Sequence, residues 1–271
     1  MSKRLKIMIL ILLGMLLLAM VLGFVGNLLY INMMHTMVSD IERDNETDDN
    51  IRKIQIGSGD ASLVGYVRSS DFSVKKKLII YLPGSGEIAY NATLDHGNQF
   101  SDYAFASVDF PGAQDSAGEM NESSILNAGI QLYDYLVKQD YVDAENIYIM
   151  GYSYSTGIVT YLASQRTCQK LVLIAPYRSS ADMYNKYSPI YYGPMRLFIT
   201  ENFETEQYAR NVQADTLLIT SNSDKTLNKR FAYALQSEFP HAEVKEYDGV
   251  LHDSYYSDPE VLADIMSFLN E

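Results

Sequence analysis

An uncharged, apolar run from Ile7 to Met34 dominates the start of the chain and follows the basic stretch MSKRLK. About 25 of its residues form one apolar block, and a helix of that length exceeds the roughly 30 Å of bilayer hydrocarbon. A cleaved signal peptide would have a shorter apolar region ending in a small-x-small site, which LGFVGN matches poorly. The run therefore favours an uncleaved membrane anchor, with a cleaved signal peptide as the alternative.

The charges on either side of the run predict its orientation. Basic residues precede it, whereas the segment SDIERDNETDDN after it has six acidic residues and one arginine. The positive-inside rule then predicts a single-pass cell-membrane protein with a cytoplasmic N-terminus and an extracytoplasmic domain. We expect an anchor over residues 1–34, an acidic disordered linker over residues 35–50 and a globular domain over residues 51–271. Glycosylation sequons start at Asn45, Asn91 and Asn121.

Composition argues against several classes of function. A formal net charge of −13 disfavours nucleic acid as a partner, because phosphates attract basic surfaces. The single cysteine, Cys168, rules out a disulfide framework and a cysteine metal cluster. The four histidines do not stand at metal-ligand spacing. We therefore expect no metal site.

Strand-like and helix-like patterns alternate from residue 51 to the end of the chain. Short apolar runs such as KKLIIYLPG and KLVLIAPY indicate buried strands, and SSILNAGIQLYDYLVKQ has apolar residues at helical spacing. This alternation predicts an α/β fold with a mostly parallel sheet, helices on both faces and an antiparallel edge from the opening hairpin.

Residues 177–213, here called the insert, are longer than a simple crossover between two strands needs. They are predicted to form either a small cap over a pocket or an irregular helical connection. Their aromatic side chains either accept an apolar acyl group or serve only in packing. The aromatic residues considered for these two roles are Tyr184, Tyr187, Tyr191, Tyr192 and Phe198.

The stretch NIYIMGYSYSTG holds two serines, each in the small-x-Ser-x-small frame of a nucleophile elbow. The predicted strand NIYIM ends at Met150, so the tight turn should begin at once, and Gly151 tolerates the strained dihedral angle that it needs. This favours Ser153 as the nucleophile. Ser155 then occupies a position usually taken by glycine.

The stretch GYSYSTGIVTYLAS resembles the elbow of the α/β-hydrolase superfamily, and it is most similar to that of serine-aminopeptidase-like and monoacylglycerol-lipase-like hydrolases. YLPGSGE, VDFPGAQDSAGE, LLITSNSDKTLN and GVLHDSY resemble, in order, the oxyanion loop, a conserved turn, the acid turn and the histidine loop. Ser155 departs from the central glycine of the motif. The resemblance covers about residues 60–270 and implies the α/β-hydrolase fold.

The resemblance also implies the chain order serine, acid, histidine. His252 follows the last strand on its carboxyl side, whereas His241 precedes that strand at the wrong end of the sheet. His252 is therefore the predicted base. Asp224, in the turn after ADTLLITS, is the predicted acid, and Asp253 is its rival.

An oxyanion needs preorganised backbone N–H donors. The resemblance implies that Tyr154, after the nucleophile, and Ser85, in PGSGE, supply them. The sequence thus predicts a serine hydrolase that cleaves small-molecule or lipid-like carboxylic esters without a cofactor. A peptidase or thioesterase of the same mechanism, and an inactive binding protein on this fold, are the alternatives.

Overall fold

The computed structural model of the chain describes residues 2–271. Its centre is a sheet of eight strands in the order β1-β2-β4-β3-β5-β6-β7-β8, in which β2 is antiparallel to its neighbours and the others are parallel. This arrangement confirms the predicted α/β-hydrolase fold and the antiparallel hairpin at its edge. The strands are β1 Ile51–Ile56, β2 Leu63–Arg68, β3 Lys76–Leu82, β4 Ala104–Val108, β5 Val142–Tyr152, β6 Lys170–Ile174, β7 Asp215–Ser221 and β8 Ala242–Tyr247.

Helices cover both faces of the sheet, so the central strands are buried on both sides and carry apolar residues almost without interruption. β4, for example, reads AFASV and is buried throughout. The α-helices are α1 Lys3–Ser39, α2 Ala89–Gln99, α3 Glu122–Leu136, α4 Thr156–Gln165, α5 Ser180–Tyr187, α6 Thr205–Ala209, α7 Arg230–Gln236 and α8 Pro259–Asn270.

Helix α1 is long and apolar enough to cross a membrane, a property that it shares with signal sequences. Its most apolar window has a mean hydropathy of 3.0, and 6% of that window is buried. The helix runs past residue 34, where the sequence analysis placed the end of the anchor, and continues to Ser39. Its second half does not stand free, because Gly23, Asn27 and Tyr30 are among its buried residues.

The acidic segment after α1 lies against the domain, although its composition predicts a disordered linker. The Tyr90 hydroxyl donates a 2.6 Å hydrogen bond to the Glu46 carbonyl, and Arg68 forms a 2.9 Å ion pair with Asp48. The Arg68 side chain is mostly buried, so this pair is more than a surface contact. A composition-based prediction of disorder cannot register such partners, because they are distant in sequence.

The insert contains α5, a 3-10 turn at Gly193–Phe198 and α6. Of its candidate aromatic residues, Tyr184 and Tyr191 are each 1% exposed and pack in the core, whereas Tyr187 and Tyr192 are exposed. The buried pair contacts α1, because the rings of Tyr30 and Tyr184 lie 3.8 Å apart. Packing is therefore the role of Tyr184 and Tyr191 in this structure.

Candidate active site

Ser153 lies on a sharp turn between β5 and α4, at the carboxyl edge of the sheet. Its φ of +52° falls in the left-handed region, which non-glycine residues rarely adopt. Such strain is typical of a nucleophile elbow, which lifts a serine clear of its own backbone. The turn needs small neighbours, because a Cβ on Gly151 would lie 2.5 Å from Val159 and one on Gly157 would lie 2.5 Å from the Tyr177 hydroxyl.

The Ser155 hydroxyl has different hydrogen-bond partners from the Ser153 hydroxyl. It is fully buried, and its Oγ accepts a 3.0 Å hydrogen bond from the Tyr152 N–H and donates a 2.5 Å bond to the Leu82 carbonyl. Leu82 ends β3, immediately before the loop that carries Ser85. The Ser155 hydroxyl thus joins the elbow to the strand that leads into the neighbouring loop.

The structure brings together the three side chains that the sequence singled out. His252 Nε2 lies 2.9 Å from Ser153 Oγ, and His252 Nδ1 lies 2.8 Å from Asp224 Oδ2. Ser153 is 7% exposed, and the Asp224 side chain is fully buried. The result is a continuous hydrogen-bonded chain from hydroxyl to imidazole to carboxylate, the arrangement that activates serine nucleophiles.

Asp224 uses its two carboxylate oxygens for different purposes. Oδ1 accepts hydrogen bonds from the Thr226 and Leu227 N–H groups at 2.7 and 2.9 Å, which holds the turn after β7. Oδ2 contacts His252 and also accepts a 3.1 Å bond from the Tyr255 hydroxyl. Burial opposes ionisation, but these bonds, led by that from His252, outweigh it and lower the pKa of Asp224. Asp224 is therefore ionised at neutral pH.

The alternative acid, Asp253, and the alternative base, His241, lie outside the hydrogen-bonded chain of Ser153, His252 and Asp224. Asp253 is exposed, and its carboxylate accepts a 3.2 Å bond from the Ser254 hydroxyl. His241 is exposed, and its carbonyl accepts a hydrogen bond from Thr216 at the amino end of the sheet. Neither side chain is in the hydrogen-bonded chain at Ser153.

The two predicted oxyanion donors lie on either side of the elbow. Tyr154 is the second residue of the 3-10 turn Ser153–Ser155, and N–H groups at the start of a helix have no partner within it. Ser85 is half-buried in the loop after β3. Only glycine fits beside it, because a Cβ on Gly84 would lie 2.8 Å from the Tyr152 ring. The oxyanion roles of Ser85 and Tyr154 stay predictions.

Glu87, which the sequence analysis did not single out, fixes the loop that carries Ser85. Its carboxylate accepts hydrogen bonds from the Gly84 N–H at 2.8 Å and from the Tyr81 hydroxyl at 2.5 Å, and it lies 2.7 Å from His96. Burial alone would raise the pKa of Glu87, but its bonds, first to His96, lower it. The only sequence signal for this role was the glutamate at the end of PGSGE. Its role could not be predicted, because its partners lie in β3, in the loop after it and in α2.

Tyr152 and Tyr255 are two further supports that the sequence did not reveal. The Tyr152 hydroxyl donates to the His252 carbonyl, and the Tyr255 hydroxyl to Asp224, so both tyrosines hold the histidine loop in place. Within residues 2–271, no group of three or more His, Cys, Asp or Glu side chains is arranged to hold a metal ion. The arrangement at Ser153 is suited to nucleophilic attack on an acyl carbon, followed by transfer of the acyl group to water.

Comparison with known families gives a match over residues 87–260, to the family described as X-Pro dipeptidyl-peptidase (S15 family). This segment is more than half of the chain and includes Ser153, Asp224 and His252. The chain belongs to the S15 family. That family lies in the α/β-hydrolase superfamily, whose fold the chain shares.

Two curated Mycobacterium tuberculosis proteins, both described as uncharacterized, are each 28% identical to this S15-family chain over 213 residues. The match covers 76% of this chain and 66% of each relative, so the chain spans just under two thirds of their length.

Solved structures of esterases share the fold. An esterase from Pyrococcus furiosus is 16% identical with a TM-score of 0.68, and the match covers 86% of this chain and 95% of that one. An acetyl xylan esterase from Paenibacillus sp. R4 is 13% identical with a TM-score of 0.66, and the match covers 89% and 93%. At this level of identity the likeness shows the fold alone.

Proposed function

We propose that the chain is a membrane-anchored serine hydrolase that cleaves carboxylic esters through an acyl-enzyme on Ser153. The observation that carries the proposal is the hydrogen-bonded chain from Ser153 Oγ through His252 to Asp224, with spacings of 2.9 and 2.8 Å. The strained backbone at Ser153 supports the same role, because strain at a buried serine is typical of functional sites.

In the proposed mechanism Ser153 Oγ attacks the acyl carbonyl while its proton passes to His252 Nε2. The tetrahedral oxyanion is stabilised by the N–H groups of Tyr154 and Ser85. Losing one such donor typically costs about 2.7–4 kcal/mol of barrier. His252 then protonates the leaving alkoxide, which yields the acyl-enzyme. Water attacks the ester carbonyl with His252 as base, and the carboxylic acid and free Ser153 result. No step needs a cofactor.

The anchor is part of the proposal. Helix α1 is long and apolar enough to span a membrane, and its second half packs into the domain. We place the N-terminus in the cytoplasm and the hydrolase domain outside, as the flanking charges favour. The order of the motifs also supports kinship with the serine-aminopeptidase-like and monoacylglycerol-lipase-like hydrolases.

The second candidate is a peptidase that releases dipeptides ending in proline, and the family match favours it. The same serine, base and acid would act on an amide carbonyl. The third candidate is a binding protein that has the α/β-hydrolase fold but no catalytic activity.

The full chain in detergent should be assayed with p-nitrophenyl esters from acetate to laurate, with an Ala-Pro p-nitroanilide and with a fluorophosphonate label. We expect ester hydrolysis and labelling in the wild type and in Ser155→Ala, and neither in Ser153→Ala. Hydrolysis of the anilide with little ester turnover would move the assignment to the peptidase. The absence of turnover and labelling in the folded wild-type chain would favour the binding protein.

A further inference from the structure

Helix α1 is fastened to the insert along one face. The buried positions of α1 recur at helical spacing. The Tyr191 hydroxyl donates a 2.8 Å hydrogen bond to the Gly23 carbonyl, and the Asn27 amide donates one of 3.0 Å to Thr200. The insert and α1 are therefore held in a fixed relation by contacts that begin at Gly23. The buried positions are Gly23, Asn27, Tyr30, Met34 and Val38.

The depth of this contact in a bilayer can be read from the sequence of α1. Between Lys6 and Asn27 every residue is apolar, and these 20 residues of helix measure about 30 Å, the thickness of bilayer hydrocarbon. We take Asn27, the first polar side chain after Lys6, as the outer boundary of the hydrocarbon. Met195 and Phe198 pack on Gly23, one helical turn inside that boundary, because a Cβ there would lie 2.7 and 2.9 Å from their side chains.

The surface of the insert at this level has the composition of a membrane interface. From Met183 to Thr200 the sequence contains no Asp or Glu, although the whole chain has a net charge of −13. Tyr192 is 63% exposed and Leu197 is 86% exposed. Tyrosines are enriched at the headgroup level, and exposed apolar patches mark binding surfaces. Basic side chains, here Lys186, are attracted to anionic lipid headgroups.

We propose that residues 186–198 form a second membrane contact, seated in the outer boundary of the bilayer that α1 crosses. The occupant of this surface is lipid. The proposal rests on the anchor assigned under the proposed function. A further part of the insert reaches the elbow of the candidate active site, because the ring centroids of Phe203 and Tyr154 lie 5.6 Å apart. Acyl esters held in the outer leaflet would then meet the enzyme at its insert.

The test uses depth-dependent fluorescence quenching of the full chain in liposomes. Cys168, the single native cysteine, is replaced by alanine, and Leu197→Cys carries a polarity-sensitive fluorophore. Leu16→Cys, in the middle of α1, and Tyr233→Cys, on α7, are the controls. Like Leu197, which is 86% exposed, both native side chains are exposed, Leu16 at 58% and Tyr233 at 48%. The lipids carry a spin label either near the headgroup or deep in the acyl chain.

We expect the probe at Leu197 to be quenched most by the shallow spin label, the probe at Leu16 by the deep one, and the probe at Tyr233 by neither. A probe at Tyr192→Cys should repeat the result for Leu197. Deep quenching at Leu16 with none at Leu197 and Tyr192 would overturn the membrane contact and leave the anchor standing. No quenching at Leu16 would overturn the anchor itself, and this inference with it.

Discussion

Ser155 occupies the elbow position that is glycine in the motif it resembles. Its hydroxyl makes hydrogen bonds to Tyr152 and Leu82 that a glycine could not make. In Ser155→Ala the Tyr152 N–H loses its buried acceptor, which typically costs about 1–3 kcal/mol. We therefore expect a lower Tm with fluorophosphonate labelling at Ser153 retained. Thermal unfolding with and without the label measures both effects, and Ser257→Ala, at an exposed serine near the site, is the control. Loss of labelling in a folded Ser155→Ala protein would show that Ser155 takes part in the chemistry.

Asp224 and Asp253 are the two carboxylates near the histidine, and they should respond differently to the same substitution. In Asp224→Asn the amide no longer stabilises the imidazolium, and loss of the acid in a comparable triad lowers kcat by about 10⁴-fold. In Asp253→Asn the exposed side chain changes without touching the hydrogen-bonded chain. Its kcat should stay near the wild-type value. Steady-state ester hydrolysis compares the two, and a large loss in Asp253→Asn with little in Asp224→Asn would reverse the assignment.

The sequence was informative about residues whose position along the chain determines their role. Ser153 follows a strand directly, and His252 and Asp224 follow later strands at the same edge of the sheet, so order and spacing could place them near one another. Glu87 and Tyr255 could not be identified in this way. Each acts through partners on other elements, and a sequence shows no such pairing.

At the scale of elements, Asp109, in the loop after β4, connects β4 to α2 and, through Ser116, to β2. Its carboxylate accepts a 2.8 Å bond from the Ala89 N–H at the start of α2, and its carbonyl accepts one from the Ser116 hydroxyl. Ser116 Oγ also accepts a hydrogen bond from Val64 in β2. This stretch therefore has a structural role at the turn, and its resemblance to a hydrolase motif reflects a shared fold.

Asp109 should make stability depend on pH. Burial raises its pKa to about 7 from 3.8, although the bond from Ala89 opposes this. The folded state thus binds the proton more tightly. The stabilisation is fully present below about pH 4 and is lost as pH rises through 7, a change of about 4 kcal/mol in order of magnitude. Asp109→Asn keeps the acceptor and removes this titration, so its stability relative to wild type should rise from pH 4 to 8.

Denaturant unfolding at several pH values measures this difference between the two proteins. Asp102→Asn, at an exposed carboxylate close by in the chain, provides the control and should follow the wild type. A constant difference between Asp109→Asn and wild type over this range would mean that Asp109 is already ionised in the folded protein.

The alternation of strands and helices was predictable because period and apolar content are local properties of a sequence. The extent and docking of α1 were not. The apolar run predicts a span, but its buried face is determined by Tyr184, Tyr191 and Thr200, which lie far from it in the sequence. Long-range contacts of this kind override a boundary drawn from composition.

For the whole molecule, the orientation of the domain can be read from its sequons. Asn45 is exposed in the segment after α1, and we expect a glycan there when the chain is synthesised into microsomes, because the domain should lie in the lumen. Asn45→Gln should remove that glycan, as a mobility shift on a gel. A chain that inserts and stays unglycosylated at every sequon would place the domain on the cytoplasmic side.

Under the proposed function, α1 connects the bilayer to the insert as one continuous helix. A helix changes its tilt when the hydrocarbon around it becomes thinner or thicker. Since Tyr191 and Asn27 tie this helix to the insert, a change in tilt would shift the insert, which contacts the elbow at Tyr154. Turnover by the full chain should then vary with the acyl length of the host lipid, even for a water-soluble ester. The lipid composition of the membrane would in that case act on the enzyme as a regulator as well as a support.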